Sequence, residues 1–309
     1  MHRELDQPGI WHGQECADRT VHGLLGGKVS GFFIDLATNQ PIVHSNTRTL
    51  ERDFEWRGLC IEPNPAYHAP ILRQRSCVLV PFAVADNVGT ATFLMQGAVG
   101  GFIGQQGVVG DRQQNANADR SNVTVITLPL SRVLQWYAHS QIDYMSLDIE
   151  GAEHLAMRSF PWAAHNVSLI TVERPNKELK HSMKSHGYAW ICNHGNFGDE
   201  MWAHESLPIP ILPPDSNPAM RRCLEGMQAA RKQTLSSVSS WTARDSRHFA
   251  PCQSSICTNL KTCGSFCGPV CCDWHSKKDN CGYRHHMSGY IHVQKYHRKK
   301  KARDAQQPF

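Results

Sequence analysis

Four acids, Asp35, Glu62, Asp86 and Asp148, each close an apolar run of strand character: GFFIDL, GLCIEP, SCVLVPFAVAD and IDYMSLD. Gathered on one edge of a sheet, such carboxylates would accept hydrogen bonds from ribose hydroxyls or balance a positive charge. Glu62 follows Asp35 by 27 positions, an interval that suits ribose recognition after the first strand of a nucleotide-binding α/β unit. A lone acid at a strand end is commonly a turn former or a helix cap. The set of four is what points to a site.

The loop after the first strand, DLATNQPIVHSN, contains no glycine. A pyrophosphate needs close backbone approach at a helix N-terminus, hence glycines there, so NAD and FAD are disfavoured. S-adenosylmethionine carries no phosphate and presents a sulfonium and an ammonium, which an acidic rim suits.

The elements that must position these acids alternate along the chain. Gly31 to Leu36 reads as a buried strand, its continuous apolar run implying cover on both faces. SNTRTLERDFEW reads as a helix capped by Ser45 or Asn46, and AYHAPILRQR as a short helix. GLCIEPNP and SCVLVPFAVAD supply the second and third strands. TATFLM and NVTVITLPL add strand character, and Leu130, Val133, Leu134 and Tyr137 take helical spacing. QIDYMSLD precedes a helix starting near Gly151, VSLITVERPN is a buried strand, KELKHSMKSHG a helix closed by Gly187, and YAWICN a strand. The order predicts an α/β sandwich with a mostly parallel central sheet. Prolines in HESLPIPILPP mark its boundary, giving a domain over 1–213, a helix (217–232) and linker (TLSSVSSWTARDSR) over 214–249, and a tail over 250–309.

Composition bounds the rest. With 309 residues, 40% of them hydrophobic and 19% charged, the chain suits a globular protein. The net charge of +5 resides in residues 295–309, leaving the remainder neutral, so nucleic acid is not an expected partner. No apolar run is long enough for a membrane span and no secretory pattern is visible, which gives a cytoplasmic expectation. Seven of the twelve cysteines lie between Cys252 and Cys281, without a C-x2-C pair, so zinc is weakly supported there and disulfides are the alternative. The Gly-, Gln- and Asn-rich stretch 96–121 is expected to be a lid over the acceptor, with a disordered segment as the alternative.

The segments FFIDLATN, SNTRTLERDFEWRGLCIEPNPAYHAPILRQRSCVLVPFAVAD, GTATF, IDYMSLDIEGAE, TVERPN and GYAWICNHGNFGDEMW occur in the order and spacing of FkbM-type methyltransferases, which the chain resembles over about residues 15–205. The resemblance implies a class I, Rossmann-like methyltransferase fold, S-adenosylmethionine as donor, and O-methylation of hydroxyls on sugars, glycolipids or related small molecules. It places Asp35, Ala37, Asn39 and Asn46 against the donor, Glu62 on its ribose, and Asp86 beside its adenine. Asp148, Glu150 and Glu153, in a D-x-E-G-x-E motif, fall at the transfer site. Ala37 and Pro41 stand where the family usually has glycine, which bears on donor affinity.

Methyl transfer from a sulfonium is an in-line displacement that needs no metal in principle, and no metal ligand is assigned. An alcohol must lose its proton as it attacks, so a carboxylate or histidine has to accept it. Asp148 is first in line, with Glu150 or Glu153 next and His154 after them. Glu153 has a plainer alternative, favouring a helix N-terminus. Glu173 of TVERPN is expected either to orient the acceptor or to pair with a neighbouring cation. Three classes of function fit: an O-methyltransferase acting on a small-molecule or glycan hydroxyl, a methyltransferase-fold binding protein impaired in catalysis, and an interaction protein acting through its Cys/His-rich basic tail.

Overall fold

A computed structural model describes residues 6–95, 100–102, 121–137, 141–214 and 216–245. Most of the expected lid and all of the 250–309 tail lie outside these residues. The chain forms two units, Met1–Ser240 and Trp241–Phe309.

The first unit is a mixed α/β structure. Its helices are α1 (Ala17–Leu24), α2 (Arg48–Phe54), α3 (Pro65–Gln74), α4 (Leu130–Trp136), α5 (Glu153–Arg158), α6 (Lys177–Ser185) and, as far as Ser240, α7 (Pro218–Asp245). The main sheet contains β1 (Phe32–Leu36), β2 (Arg57–Ile61), β3 (Val78–Val80), β8 (Gln141–Leu147), β9 (Asn166–Glu173), β10 (Tyr188–His194) and β11 (Asp199–His204). A second sheet contains β4 (Ala83–Val84), β5 (Gly89–Met95), β6 (Gly101–Phe102) and β7 (Ser121–Leu128).

The main sheet runs β10-β11-β9-β8-β1-β2-β3. β3, β2, β1, β8 and β9 are parallel neighbours, and β11 enters antiparallel to both β9 and β10. Strand order reverses between β1 and β8, the place where open α/β sheets bind ligands beyond their carboxyl ends. β1 is apolar on both sides because both faces are covered. Ile34 and Leu36 join a core with Val133, Leu134, Ala156 and Met183, whereas Phe33 packs with Val21, Leu24, Leu50 and Trp56. Each such side chain, fully buried, contributes about 1.5–3 kcal/mol.

Three expectations change. The run SCVLVPFAVAD is two strands, since Pro81 cannot donate to a ladder: β3 stays in the main sheet and β4 joins the second sheet by pairing with β7. The first residue of α2 is Arg48, with Thr47 at the N-cap, and Ser45 Oγ accepts from the Arg48 amide at 3.1 Å. The expected linker is helical to Asp245, because after Gly226 neither glycine nor proline interrupts α7.

The start of α7 is fastened to the first unit. Cys223 is disulfide-bonded to Cys192 of β10, and a Cβ at Gly226 would meet the Ile191 carbonyl oxygen at 1.6 Å, so only glycine permits this approach. A second disulfide joins Cys60 of β2 to Cys77. Buried cross-links of this kind persist in oxidising compartments and do not fit the cytoplasmic expectation. Among the described residues, no helix is long and apolar enough to cross a membrane.

Beside the Cys60–Cys77 bridge lies a buried ionic network. Arg75, its side chain fully buried, donates from Nε to Glu51 Oε2 at 2.8 Å, and from the two terminal nitrogens to Ser45 Oγ at 3.1 Å and Thr47 Oγ1 at 2.8 Å. Thr47 in turn donates to Asp35 Oδ2 at 2.5 Å. Removing one partner of such a pair strands the other charge in a low dielectric. Arg75→Met is therefore expected to destabilise the fold by about 3–5 kcal/mol in urea unfolding.

Candidate active site

Two cavities open beyond the carboxyl ends of the main sheet, on either side of β1. The first encloses about 590 Å³ of solvent-connected space and is mainly apolar, with Leu36, Ile61, Tyr67, Phe93, Phe102 and Ile149 among its walls. Its polar groups are Asn39, Glu62 and Asn64. Both sheets contribute, since Phe93 and Phe102 stand on β5 and β6.

Glu62 is placed by backbone amides. Its Oε2 accepts from the Asn39 N–H at 2.7 Å and its Oε1 from the Asn64 N–H at 2.7 Å, leaving a lone pair on each oxygen for a ligand. Burial pushes its pKa up to about 7 against the opposing pull of the Asn64 and Asn39 amides. The Asn39 amide arrives there because the loop folds back on β2, Ala37 and Thr38 N–H both donating to the Ile61 carbonyl. That fold requires left-handed backbone at Ala37 (φ 60°) and Asn39 (φ 56°). Asn adopts this region readily, whereas Ala does so at a cost that glycine avoids. The Ala37 departure is thus a strained one, not the benign one that a negative φ would have made it.

The second cavity, about 320 Å³ of solvent-connected space, is lined by Gln14, Asn46, Asp148, Glu173, His194 and Asp199, among others. Register explains the gathering. His194 pairs with Asp199 across the β10-β11 hairpin, Asp199 with Glu173 across β11-β9, and Leu147 with Val172 across β8-β9, which sets Asp148 beside Glu173. Four ionisable residues therefore stand in one row across four strands. Burial, the charge of Glu173, a hydrogen bond shared with it, and the charges of Glu150 and Asp199 together raise the Asp148 pKa well above its ordinary value. Arg174 pairs with the Glu173 carboxylate, while burial lowers the pKa of His194.

Glu150 and Glu153 differ in role. Glu150 sits on the turn after β8 with φ 56°, a left-handed position of the sort that persists at functional sites, and Gly151 follows with φ 100°. Its carboxylate lies close to those of Asp148 and Glu173. Glu153 is buried and turns back, Oε1 accepting from the Ile149 and Gly151 amides at 3.1 and 3.0 Å. It fixes the turn that presents Glu150 and lines neither cavity.

The structure thus brings Glu62, Ala37 and Asn39 to the first cavity, and Asp148 and Asn46, with Glu150 close by, to the second. Asn46 Nδ2 donates to Ser146 Oγ at 3.1 Å. Asp35 faces neither cavity. Its carboxylate is buried in the Arg75 network, and burial raises its pKa to about 6 despite the opposing Arg75 charge and Thr47 hydrogen bond. Asp86 is exposed beyond β4 and lies outside both linings, a consequence of the chain leaving the main sheet at Pro81. His154 likewise lines neither cavity. Asp199 and His194 were not among the expected site residues. The turn HGNFGD, glycines at both ends, was the signal for a hairpin that would oppose them.

A family profile of the methyltransferase FkbM domain matches residues 35–196, just over half of the chain. No curated protein matches it.

Two outcomes follow from the first cavity. Glu62, with its folded pKa raised above the ordinary 4.5, contributes stability that is complete below 4.5 and is lost as pH rises through about 7. The unfolding free energy of the wild type relative to Glu62→Gln is expected to fall by about 3 kcal/mol between pH 4.5 and 8.5 in urea titrations. Ala37→Gly, by relieving the left-handed alanine, is expected to raise stability by about 1 kcal/mol in the same assay.

Proposed function

The chain belongs to the methyltransferase FkbM domain family, and on that premise we propose that it is an S-adenosylmethionine-dependent O-methyltransferase acting on a hydroxyl of a sugar, glycolipid or related small molecule. The observation that carries this reading is the pairing, across β1, of an apolar cavity ending in Glu62 with an acid-lined cavity ending in Asp148. The strand order, parallel except for β11, supports a class I methyltransferase arrangement.

The residues present fit the donor. The apolar walls of the first cavity suit an adenine, and the two open lone pairs of Glu62 suit the paired ribose hydroxyls. Asn39 and Ala37 line the same space, and the acids of the second cavity suit a cationic group. When bound, the donor supplies an electrophilic methyl on a sulfonium. The chain's own work is then to align the acceptor hydroxyl and to take its proton. Asp148 is suited to the second task because burial and the neighbouring acids raise its proton affinity. Glu150 and Glu173 flank it and suit hydrogen bonding to other hydroxyls of the acceptor.

The strained Ala37 favours a second reading, a methyltransferase-fold binding protein with weak or no hold on the donor. Calorimetry with S-adenosylmethionine separates the two. Under the transferase reading the donor binds, labelled methyl reaches at least one member of a panel of glycans and hydroxylated small molecules, and Asp148→Asn lowers the rate at least about 100-fold while donor binding persists. Absence of donor binding would leave only the second reading, and full activity in Asp148→Asn would remove the base from Asp148.

A further inference from the structure

The acid row has a geometry that proton transfer alone does not call for. One carboxylate oxygen each from Asp148, Glu150 and Glu173 lie within 4.8 Å of one another. Oxygens bound to one cation at about 2.0–2.6 Å stand no more than about 4–5 Å apart, so the three need little movement to share an ion. Asp199 is next to Glu173 in the same row. Among the described residues that line this cavity none is a lysine or arginine, and Arg174 pairs with Glu173.

A second observation is independent of the acids. His194 is 2% exposed, lines the same cavity, and has no hydrogen-bond partner on either ring nitrogen, although the backbone of Gln14 and Glu15 is near. The buried Asn46 Oδ1, at the cavity's other side, also has no partner. A buried imidazole held in its neutral form offers a lone pair, and so does an amide oxygen. Neither acceptor is served by the carboxylates that face it. All of them would be served by one cation.

We propose that Asp148, Glu150 and Glu173 bind a hard divalent cation of the Mg²⁺ or Mn²⁺ class, with His194 and Asn46 completing its surroundings directly or through water. Carboxylate and amide oxygens with one imidazole select such ions over softer ones. Three carboxylates, each bound through one oxygen, leave positions for the acceptor, and Asp148 keeps its second oxygen for the hydroxyl proton. The ion would hold the hydroxyl and make it more acidic, and where His194 and Asn46 act through exchangeable water, two positions are open to acceptors with adjacent oxygens, such as vicinal diols. This last step rests on the transferase reading; the ion site itself does not.

The test uses the full chain, stripped with a chelator and titrated with MnCl₂ while free Mn²⁺ is followed by electron paramagnetic resonance. Manganese is chosen because the Cys/His-rich tail favours softer ions. Expected is a site of one Mn²⁺ per chain, displaced by Mg²⁺ and weakened at least tenfold in both Glu150→Gln and Glu173→Gln. No binding by the wild type, or unchanged binding in both variants, overturns the proposal. Should a variant not fold, line broadening of the His194 ring resonances by substoichiometric Mn²⁺ in the wild type decides: broadening supports the site and its absence overturns it. The readouts separate the two readings. Mn²⁺ binding without donor affinity sinks the transferase and leaves the ion site, whereas donor binding and transfer by a chain that binds no Mn²⁺ do the reverse.

Discussion

The guanidinium of Arg75, buried under the loop that follows β1, is the interaction on which the rest of the site depends. It satisfies Glu51, Ser45 and Thr47, and through Thr47 it steadies Asp35. It also lies within reach of the Pro41 carbonyl, at 3.4 Å. A buried charge tolerates few arrangements of its partners, because each unmade hydrogen bond costs about 1–3 kcal/mol. The loop from Ala37 to Thr47 is held at its far end by this demand and at its near end by the Ile61 carbonyl. Between these anchors the Asn39 amide reaches Glu62. The Cys60–Cys77 bridge locks β2 to the start of β3 in the same neighbourhood, so charge and covalent bond restrain one small volume.

Above that base the molecule separates two kinds of surface. The half of the rim over β1 and β2 is greasy, with one carboxylate whose orientation is dictated by main-chain donors. The half over β8, β9 and β11 is crowded with acids whose mutual repulsion is tolerated. The separation follows from the sheet order, since the chain moves outward from β1 in one direction and returns at β8 to move outward in the other. The apolar cavity is accordingly lined mostly by residues before position 103, and the acids of the other come from positions 148 to 199, although Gln14 and Asn46 also border the latter.

Much of this was legible beforehand, and the reasons for the rest are physical. The strands β1, β2, β8 and β9 announced themselves because burial on both faces leaves continuous apolar runs ending in an acid. Those ends placed Glu62 and Asp148 at the two cavities. Asp35 ended its strand in the same way, but its direction depends on Arg75, a partner 40 positions away that no local pattern reveals. Asp86 stands outside both linings for a local reason, the loss of a donor at Pro81, which sent the chain to another sheet. The disulfides were illegible because pairing Cys192 with Cys223 requires knowing that α7 comes back against β10. The acid row needed the antiparallel insertion of β11 between β9 and β10, and only that insertion puts Asp199 and His194 in line with Glu173.

The walls of the greasy cavity have one further implication. They come from two sheets that exchange no strand pairing: Leu36 and Ile61 from the large one, Ala83, Phe93 and Phe102 from the small one. Among the described residues the strand bearing Phe102 is two residues long and pairs with β5 alone. An occupant of that space would be mortar between two masonry courses. Filling it should slow amide exchange across the small sheet as well as at the residues touched, so any occupant becomes audible at a distance from where it sits.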